Sequence, residues 1–244
     1  MAREWDATTY DALMLPHVEW GQRVLDRMAL RGDELVLDAG CGTGRDAAAL
    51  RARWPDTRLV ALDGSAQMLE VARGHLGNDR VAYVHADLTE PLPLPVPVEA
   101  VMSVAAFHWI ADHALLFVNL ASVMRPGARL TSDCGGRGNV GNLDAAIARV
   151  TGHRDEEWEF ADEAGTRTRL VAAGFEAVNV GLRPAPFRFE DPEVFERYLA
   201  AVCLGSYLAE LSDEEGAAFV RAVRLAFDEP VVDYVRLEID AVKR

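Results

Sequence analysis

Apolar positions along this chain follow two alternating rhythms. Short apolar runs bounded by turn residues read as buried strands at 34–39, 58–63, 81–87, 98–104, 128–134 and 175–184. Apolar residues at helical spacing fill the stretches between them, at 17–28, 45–53, 65–76 and 113–124. Ser65 has the position and chemistry of an N-cap, and Pro55 follows the end of the 45–53 helix. Four prolines at alternate positions in 91–97 remove four backbone donors, which predicts an extended loop before the fourth strand. Arg125, Pro126 and Gly127 predict a turn before the fifth strand. Residues 142–173 read as helical with a polar break near 151–157. Two further helical stretches lie within 185–230, and 231–242 alternates with period two, as a last strand does.

Strands that alternate with helices make a largely parallel sheet with helices on both faces: an α/β, doubly wound fold in one domain over 1–244. Ligands of such sheets bind beyond the carboxyl ends of the strands. The residues at those ends are distinctive here. The first strand runs into Asp38-Ala-Gly40-Cys41-Gly42-Thr43-Gly44, the second ends at Asp63-Gly64, the third at Asp87-Leu88, and the fourth at Ala105-Ala106-Phe107-His108-Trp109.

Charge narrows the ligand. The chain has 39 acids against 25 bases, a net charge of −14, and of its bases only Lys243 is a lysine. That balance argues against a nucleic-acid substrate, which calls for a basic face. A dinucleotide fingerprint reads G-x-G-x-x-G and cradles a pyrophosphate. The spacing here is G-x-G-x-G, with a carboxylate that would repel phosphate, and no G-x-x-x-x-G-K-[ST] loop is present. A nucleoside with an ammonium group and no phosphate suits the set better. Bare backbone at Gly40, Cys41 and Gly42 permits close approach, and Asp38 pairs with the ammonium directly or through water. Asp63 beside Gly64 accepts the ribose hydroxyls. Asp87 takes an adenine amino group while the Leu88 backbone reads the ring edge. That ligand is S-adenosylmethionine. Met68, one turn into the 65–76 helix, is placed to touch its adenine.

The ordered segments VLDAGCGTG, ALDGS, HADL and LASVMRPGARL resemble the successive motifs of class I S-adenosylmethionine-dependent methyltransferases over roughly residues 34–130. The resemblance implies a Rossmann-like sheet of seven strands with the last antiparallel, for which 231–242 is the candidate, and a helical cap at 185–230 between strands six and seven. It also implies release of S-adenosyl-L-homocysteine as product. The AFHWIADH and WDATTYD stretches resemble the trans-aconitate and biotin-pathway carrier-protein methyltransferase group of small-acid enzymes. The trans-aconitate type carries an arginine in the cap for the substrate carboxylate, and 201–211 here has none, which argues against a polycarboxylate acceptor.

Candidate roles follow. Ala105 borders the cofactor; Tyr10, in an N-terminal helical segment at 1–30, folds over it. Phe107, His108, Trp109 and Tyr207 are the candidate acceptor pocket. His108 is either a catalytic base or a packed histidine. His113 reads as a solvated residue opening the next helix, Cys41 as a small filler, and the Thr43/Asp46 spacing as a structural capping box. No metal site is evident, and three scattered cysteines give no disulfide frame. The chain has no stretch suited to span a membrane and starts with no signal-peptide order, so a cytoplasmic monomer or homodimer acting on a small-molecule acceptor is expected. Three other readings stay open: a nicotinamide dehydrogenase, a cofactor-binding module without turnover, and a nucleic-acid methyltransferase.

Overall fold

In the computed structural model, residues 17–153 and 160–244 are described. The elements run in chain order as α1 (His17–Arg27), β1 (Leu35–Ala39), α2 (Arg45–Arg53), β2 (Arg58–Asp63), α3 (Ala66–Leu76), β3 (Val81–His85), β4 (Val98–Val104), α4 (His113–Ser122) and β5 (Met124–Gly135). They continue as α5 (Gly141–Thr151), α6 (Glu163–Ala172), β6 (Phe175–Pro184), β7 (Phe187–Arg188), α7 (Pro192–Tyr198), α8 (Gly205–Leu208), α9 (Asp213–Leu225), β8 (Val231–Val232) and β9 (Val235–Lys243).

Seven strands form one sheet in the order β3-β2-β1-β4-β5-β9-β6. All pairs among the first five are parallel, and β9 is antiparallel to both β5 and β6. The mostly parallel seven-stranded sheet expected from the sequence is present, with the last strand inserted antiparallel beside β5. The carboxyl ends of β1, β2, β4 and β5 therefore meet at one edge.

The strands alternate their side chains between two cores. Val36 of β1 faces a core shared with Trp20 and Val24 of α1, Leu50 of α2 and Leu69 of α3. Leu37 and Ala39 face the opposite core with Leu116 and Leu120 of α4 and Leu170 of α6. Both faces are covered, which is why β1 and β4 read as nearly continuous apolar runs. By the same alternation Asp38 points toward α1 and α2.

Three boundaries and the burial of one residue differ from the sequence expectation. The third strand stops at His85, because Asp87 turns the chain by accepting from the N–H (2.9 Å) and hydroxyl (2.7 Å) of Thr89. Arg125-Pro126-Gly127 is not a turn before β5 but a bulge inside it. Pairing jumps from Val98↔Met124 to Ala100↔Arg129, two residues against five, and Gly127 takes a left-handed φ of 82° to accommodate the excess. The last strand is split: Val231–Val232 pairs with Phe187–Arg188, and only Val235–Lys243 joins the main sheet. The chain bends at Asp233, whose carboxylate receives the Asn142 N–H at 3.1 Å. His113 is buried (2% exposed), with Nε2 2.9 Å from the Phe107 carbonyl, and is not a solvated helix start.

Candidate active site

A cavity of about 470 Å³ opens at the carboxyl edge of the sheet. Its floor is the glycine loop. Gly40, Gly42 and Gly44 all have left-handed φ, 80°, 53° and 83°. A Cβ on Gly40 would sit 2.5 Å from the Ala106 Cβ, and one on Gly44 would press Leu76 at 3.0 Å, so these two let the loop pack. A Cβ on Gly42 would meet nothing within 4 Å; it faces open space and lines the cavity. The N–H groups of Gly40 and Cys41 both donate to Leu62 O at 2.9 Å, which ties the loop to β2.

Asp63 locks the same corner. Its Oδ2 accepts the Gly42 N–H and its Oδ1 the Ser65 N–H, each at 2.8 Å. Ser65 Oγ in turn caps α3 by accepting from Met68 N at 3.3 Å. Gly64, Met68, Asp87, Leu88 and Ala105 also line the cavity. Hydrogen bonding to the Thr89 backbone holds the Asp87 carboxyl below its ordinary range. Asn119 Nδ2 donates to Leu88 O at 3.0 Å and fixes that turn. Ala105 adopts φ 55°, a conformation that non-glycine residues seldom take and that concentrates at functional sites. Its N–H donates to Asp133 O at 2.7 Å, so the chain leaves β4 sharply and delivers the 3₁₀ turn Phe107–Trp109 to the cavity rim.

The carboxylates are arranged differently from the expectation. Asp38 is 2% exposed and does not line the cavity; it lies behind the glycine loop, with Oδ2 buried and without a hydrogen bond. Burial, then the charges of Asp46 and Asp63, push its pKa well above the usual carboxylate value. Asp46, read from sequence as a capping-box residue, does line the cavity. Gly44 is the residue at the helix cap, and no side chain bonds there. The Asp46 carboxylate is instead wedged against α1: a Cβ on Gly21 would lie 1.8 Å from its Oδ1. Burial raises Asp46 to about 7; Arg45 opposes the shift and Asp133 adds to it.

Across the cavity stand His17 and Trp20 of α1, His108, Phe160, Val140 and Arg236. His17 is neutral, lowered to about 3 by burial, then by the charges of Arg236 and Arg45. His108 accepts the Gly135 N–H on Nδ1 at 3.3 Å. Burial foremost, then Arg236, His17 and His113, hold its pKa well below the ordinary histidine value. A neutral ring whose Nδ1 accepts a backbone bond carries its proton on Nε2. Cys41 lines the cavity as a thiol: burial, then Asp38 and Asp63, push it well above its ordinary range.

The insertion contributes Tyr198, Val202 and Cys203, the last two from a π-helical stretch, Leu199–Cys203. Two candidate pocket residues are elsewhere. Phe107 is fully buried in the opposite core, edge-on to Phe117 at 6.1 Å, because the 3₁₀ turn rotates it inward as it turns His108 and Trp109 out. Tyr207 stacks on Phe219 at 5.6 Å within the insertion and does not line the cavity. Tyr10 lies outside the described residues.

Comparison with known proteins settles the class. Residues 36–127 match the family model for a methyltransferase domain. A malonyl-[acyl-carrier protein] O-methyltransferase of Methylovorus sp. (strain MP688) is 32% identical over 206 residues, 80% of this chain and 69% of the relative. The chain belongs to the class I S-adenosylmethionine-dependent methyltransferases. A trans-aconitate 2-methyltransferase of Azoarcus sp. (strain BH72) is 36% identical over 126 residues; the match takes 52% of this chain and spans about half, 49%, of that relative. The fold is shared with the Haemonchus contortus phosphoethanolamine N-methyltransferase 2 solved with phosphomonomethylethanolamine and S-adenosylhomocysteine. That likeness has a TM-score of 0.66 at 17% identity, over 97% of this chain and 56% of the other.

The residues present in this methyltransferase fit its cofactor. The open face of Gly42, the Asp63 carboxylate at the loop and the buried Asp38 Oδ2 behind it suit a cationic nucleoside. Sequence reasoning missed three residues that line the cavity: Asp46, Arg236 and Asn139, whose Oδ1 accepts the Val235 N–H at 3.0 Å. Only Asp46 carried a signal, its place two residues after the last glycine of the loop.

Proposed function

We propose that the protein transfers a methyl group from S-adenosylmethionine to a small-molecule acceptor, at a carboxylate or hydroxyl oxygen, by in-line displacement. The observation that carries this reading is the continuity of one cavity, from Asp63 and the glycine loop to the His108 and Arg236 wall. Bound S-adenosylmethionine supplies an electrophilic methyl on a sulfonium.

The chain's own residues hold, orient and exclude water. Asp63 keeps an acceptor oxygen toward each ribose hydroxyl while its backbone bonds fix its angle. Asp87 and the Leu88 backbone take the adenine edge, with Met68 against the ring. Gly40 to Gly42 admit the aminoacyl end, and Asp38 acts on its ammonium through water from behind the loop. The insertion at 185–230 serves as a lid over the acceptor end, through Tyr198 and Val202. His108 donates from Nε2 to an acceptor oxygen. Alignment of this kind supplies roughly 7–11 kcal/mol of the barrier reduction, so little acid–base chemistry is asked of the protein.

Calorimetry with S-adenosylmethionine, followed by transfer of a labelled methyl group to a panel of small acids and alcohols, tests the reading. Saturable uptake and a labelled ester or ether are expected. Uptake without transfer to any acceptor contradicts catalysis and favours a binding module; uptake of NAD instead points to a dehydrogenase.

A further inference from the structure

A carboxylate is held where the two ends of the cavity join. Asp46 lies in the first turn of α2, just past the glycine loop, and lines the cavity. An acid in a first turn ordinarily answers the helix dipole from the solvent side. This one is wedged against α1 instead. A Cβ on Gly21 would lie 1.8 Å from its Oδ1, so only a glycine leaves room for that oxygen. Gly21 stands in the middle of α1, where a glycine is about 1 kcal/mol worse than alanine. His17, one turn earlier on α1, and Trp20, next to Gly21, both line the cavity. Trp20 lies 3.6 Å under the Arg236 guanidinium, which holds Asp133. The Asp46 carboxylate therefore stands between the glycine loop and the wall of His17, Trp20 and Arg236.

Its oxygens carry no hydrogen bond or ion pair to any described residue. The other polar groups on the cavity are engaged. Asp63 receives the N–H groups of Gly42 and Ser65, and Asp87 is turned to Thr89. His108 Nδ1 receives the Gly135 N–H, and Asn139 Oδ1 that of Val235. Arg236 is turned to Asp133, 2.7 Å from Nε and 2.6 Å from Nη2, and the Tyr198 and Tyr234 hydroxyls bond each other. Burial raises Asp46 to about 7; Arg45, beside it on α2, opposes the shift, and Asp133 of β5 adds to it. Asp38 of β1 also acts on it, while His17 of α1 is neutral, lowered to about 3 chiefly by burial. A carboxyl of that strength is matched to proton transfer near neutral pH. It can take a proton from a phenol, whose ordinary pKa is about 10, and not from an alkanol. Trp20, Trp109 and Phe160 give the acceptor end flat apolar faces.

We infer that Asp46 receives the proton of a phenolic acceptor, whose ring lies against the aromatic wall, as its oxygen is methylated. The inference rests on the methyl-transfer reading and chooses hydroxyl over carboxylate. The O–H bond breaks toward Asp46, and the oxygen forms the new O–CH₃ bond. The C–S bond breaks with its electron pair left on sulfur. A phenol, a carboxylate and a sulfonium become an aryl methyl ether, a carboxylic acid and a thioether. The sulfonium favours the ionised form of Asp46, so the loaded protein holds that side chain ready for a proton. The proton passes from Asp46 to water once the ether has left.

The test is turnover at saturating S-adenosylmethionine with phenols of graded acidity: para-nitrophenol, para-cyanophenol, naphthol and para-methoxyphenol. Benzoate and phenylacetate are the carboxylate controls. Wild type is compared with Asp46→Asn, which keeps the shape of the side chain and removes an ionisation that burial opposes. Wild type should methylate para-methoxyphenol at a rate that falls as Asp46 takes up its proton, at or below about pH 7. The variant should lose about a hundredfold in kcat with para-methoxyphenol, the ordinary worth of a positioned base. It should lose less than about tenfold with para-nitrophenol, which is already ionised at about pH 8 and needs no base. A merely structural role would lower both alike. The inference is overturned if the loss is equal across the series, or if no phenol is methylated. A wild-type profile with no fall toward low pH overturns it as well, whatever the variant does. Methylation of the carboxylates alone overturns it and leaves the transfer reading standing; absence of S-adenosylmethionine uptake removes both.

Discussion

The cofactor end and the acceptor end of the cavity are built by opposite means. At the cofactor end, Gly40 to Asp46 form one loop and helix start, and Asp63-Gly64-Ser65 and Asp87-Leu88 are single strand exits. Local hydrogen bonds complete each, as Asp63 does with Ser65 and Asp87 with Thr89. At the acceptor end, Trp20, His108, Asp133, Tyr198 and Arg236 come from five elements scattered over the whole chain. Contiguous motifs fix the part of the site whose ligand does not change. The part that chooses an acceptor is assembled by topology.

The largest effect that would break this contrast is at the acceptor end. Arg236→Leu removes the nearer partner of the fully buried Asp133 and leaves it Arg183 alone, at 3.8 Å. A loss of about 3 kcal/mol in stability is expected, read as a fall in Tm, with Asp133→Asn restoring much of it. Unchanged Tm would mean that the pair is not enclosed as described.

Asp63→Ala acts at the other end. It removes the anchors of Gly42 and Ser65 and the oxygens facing the ribose. Charge-assisted bonds are each worth roughly 1.5–3 kcal/mol, so the calorimetric affinity for S-adenosylhomocysteine should drop by about a hundredfold. A drop under threefold would remove Asp63 from the cofactor site.

These ends were not equally legible in the chain. The alternation of strands and helices and the glycine loop followed from period and turn chemistry, and the antiparallel last strand from the family resemblance. Asp38 lies one layer behind the glycine loop, because its parity in β1 points it toward α1 and α2. Phe107 was misjudged because three residues of 3₁₀ turn send neighbours to opposite sides. Arg236 had no local signature: it sits in the alternating pattern of β9, and only the insertion of that strand beside β5 brings it against Asp133.

A smaller effect sharpens the contrast through pH. Asp46 is raised to about 7 and Asp38 is raised as well, both chiefly by burial. Raised carboxyl pKa values mean that the folded protein holds these protons more tightly than the unfolded chain. The Asp46 contribution to stability is full below about pH 4 and is lost as pH rises through about 7; Asp38 acts in the same direction. A cationic ligand favours the ionised forms, so its binding should release protons and its affinity should rise severalfold from pH 6 to pH 8. Calorimetry in buffers of different ionisation enthalpy reads the proton release, and Asp46→Asn should flatten the profile. A wild-type affinity that falls with pH contradicts the placement of Asp46.

The smallest effect is at Cys41. Its thiol is pushed well above the ordinary range, so Cys41→Ala should change turnover less than about threefold, the loss of a small filler. Abolished turnover with intact cofactor binding would make it a reactive group.

The most direct measurement is a crystal structure with S-adenosylhomocysteine bound. The account predicts both ribose hydroxyls on the Asp63 carboxylate and the sulfur facing the hollow between His108 and Trp109. A nucleoside away from Asp63, or a sulfur turned from that hollow, would contradict it.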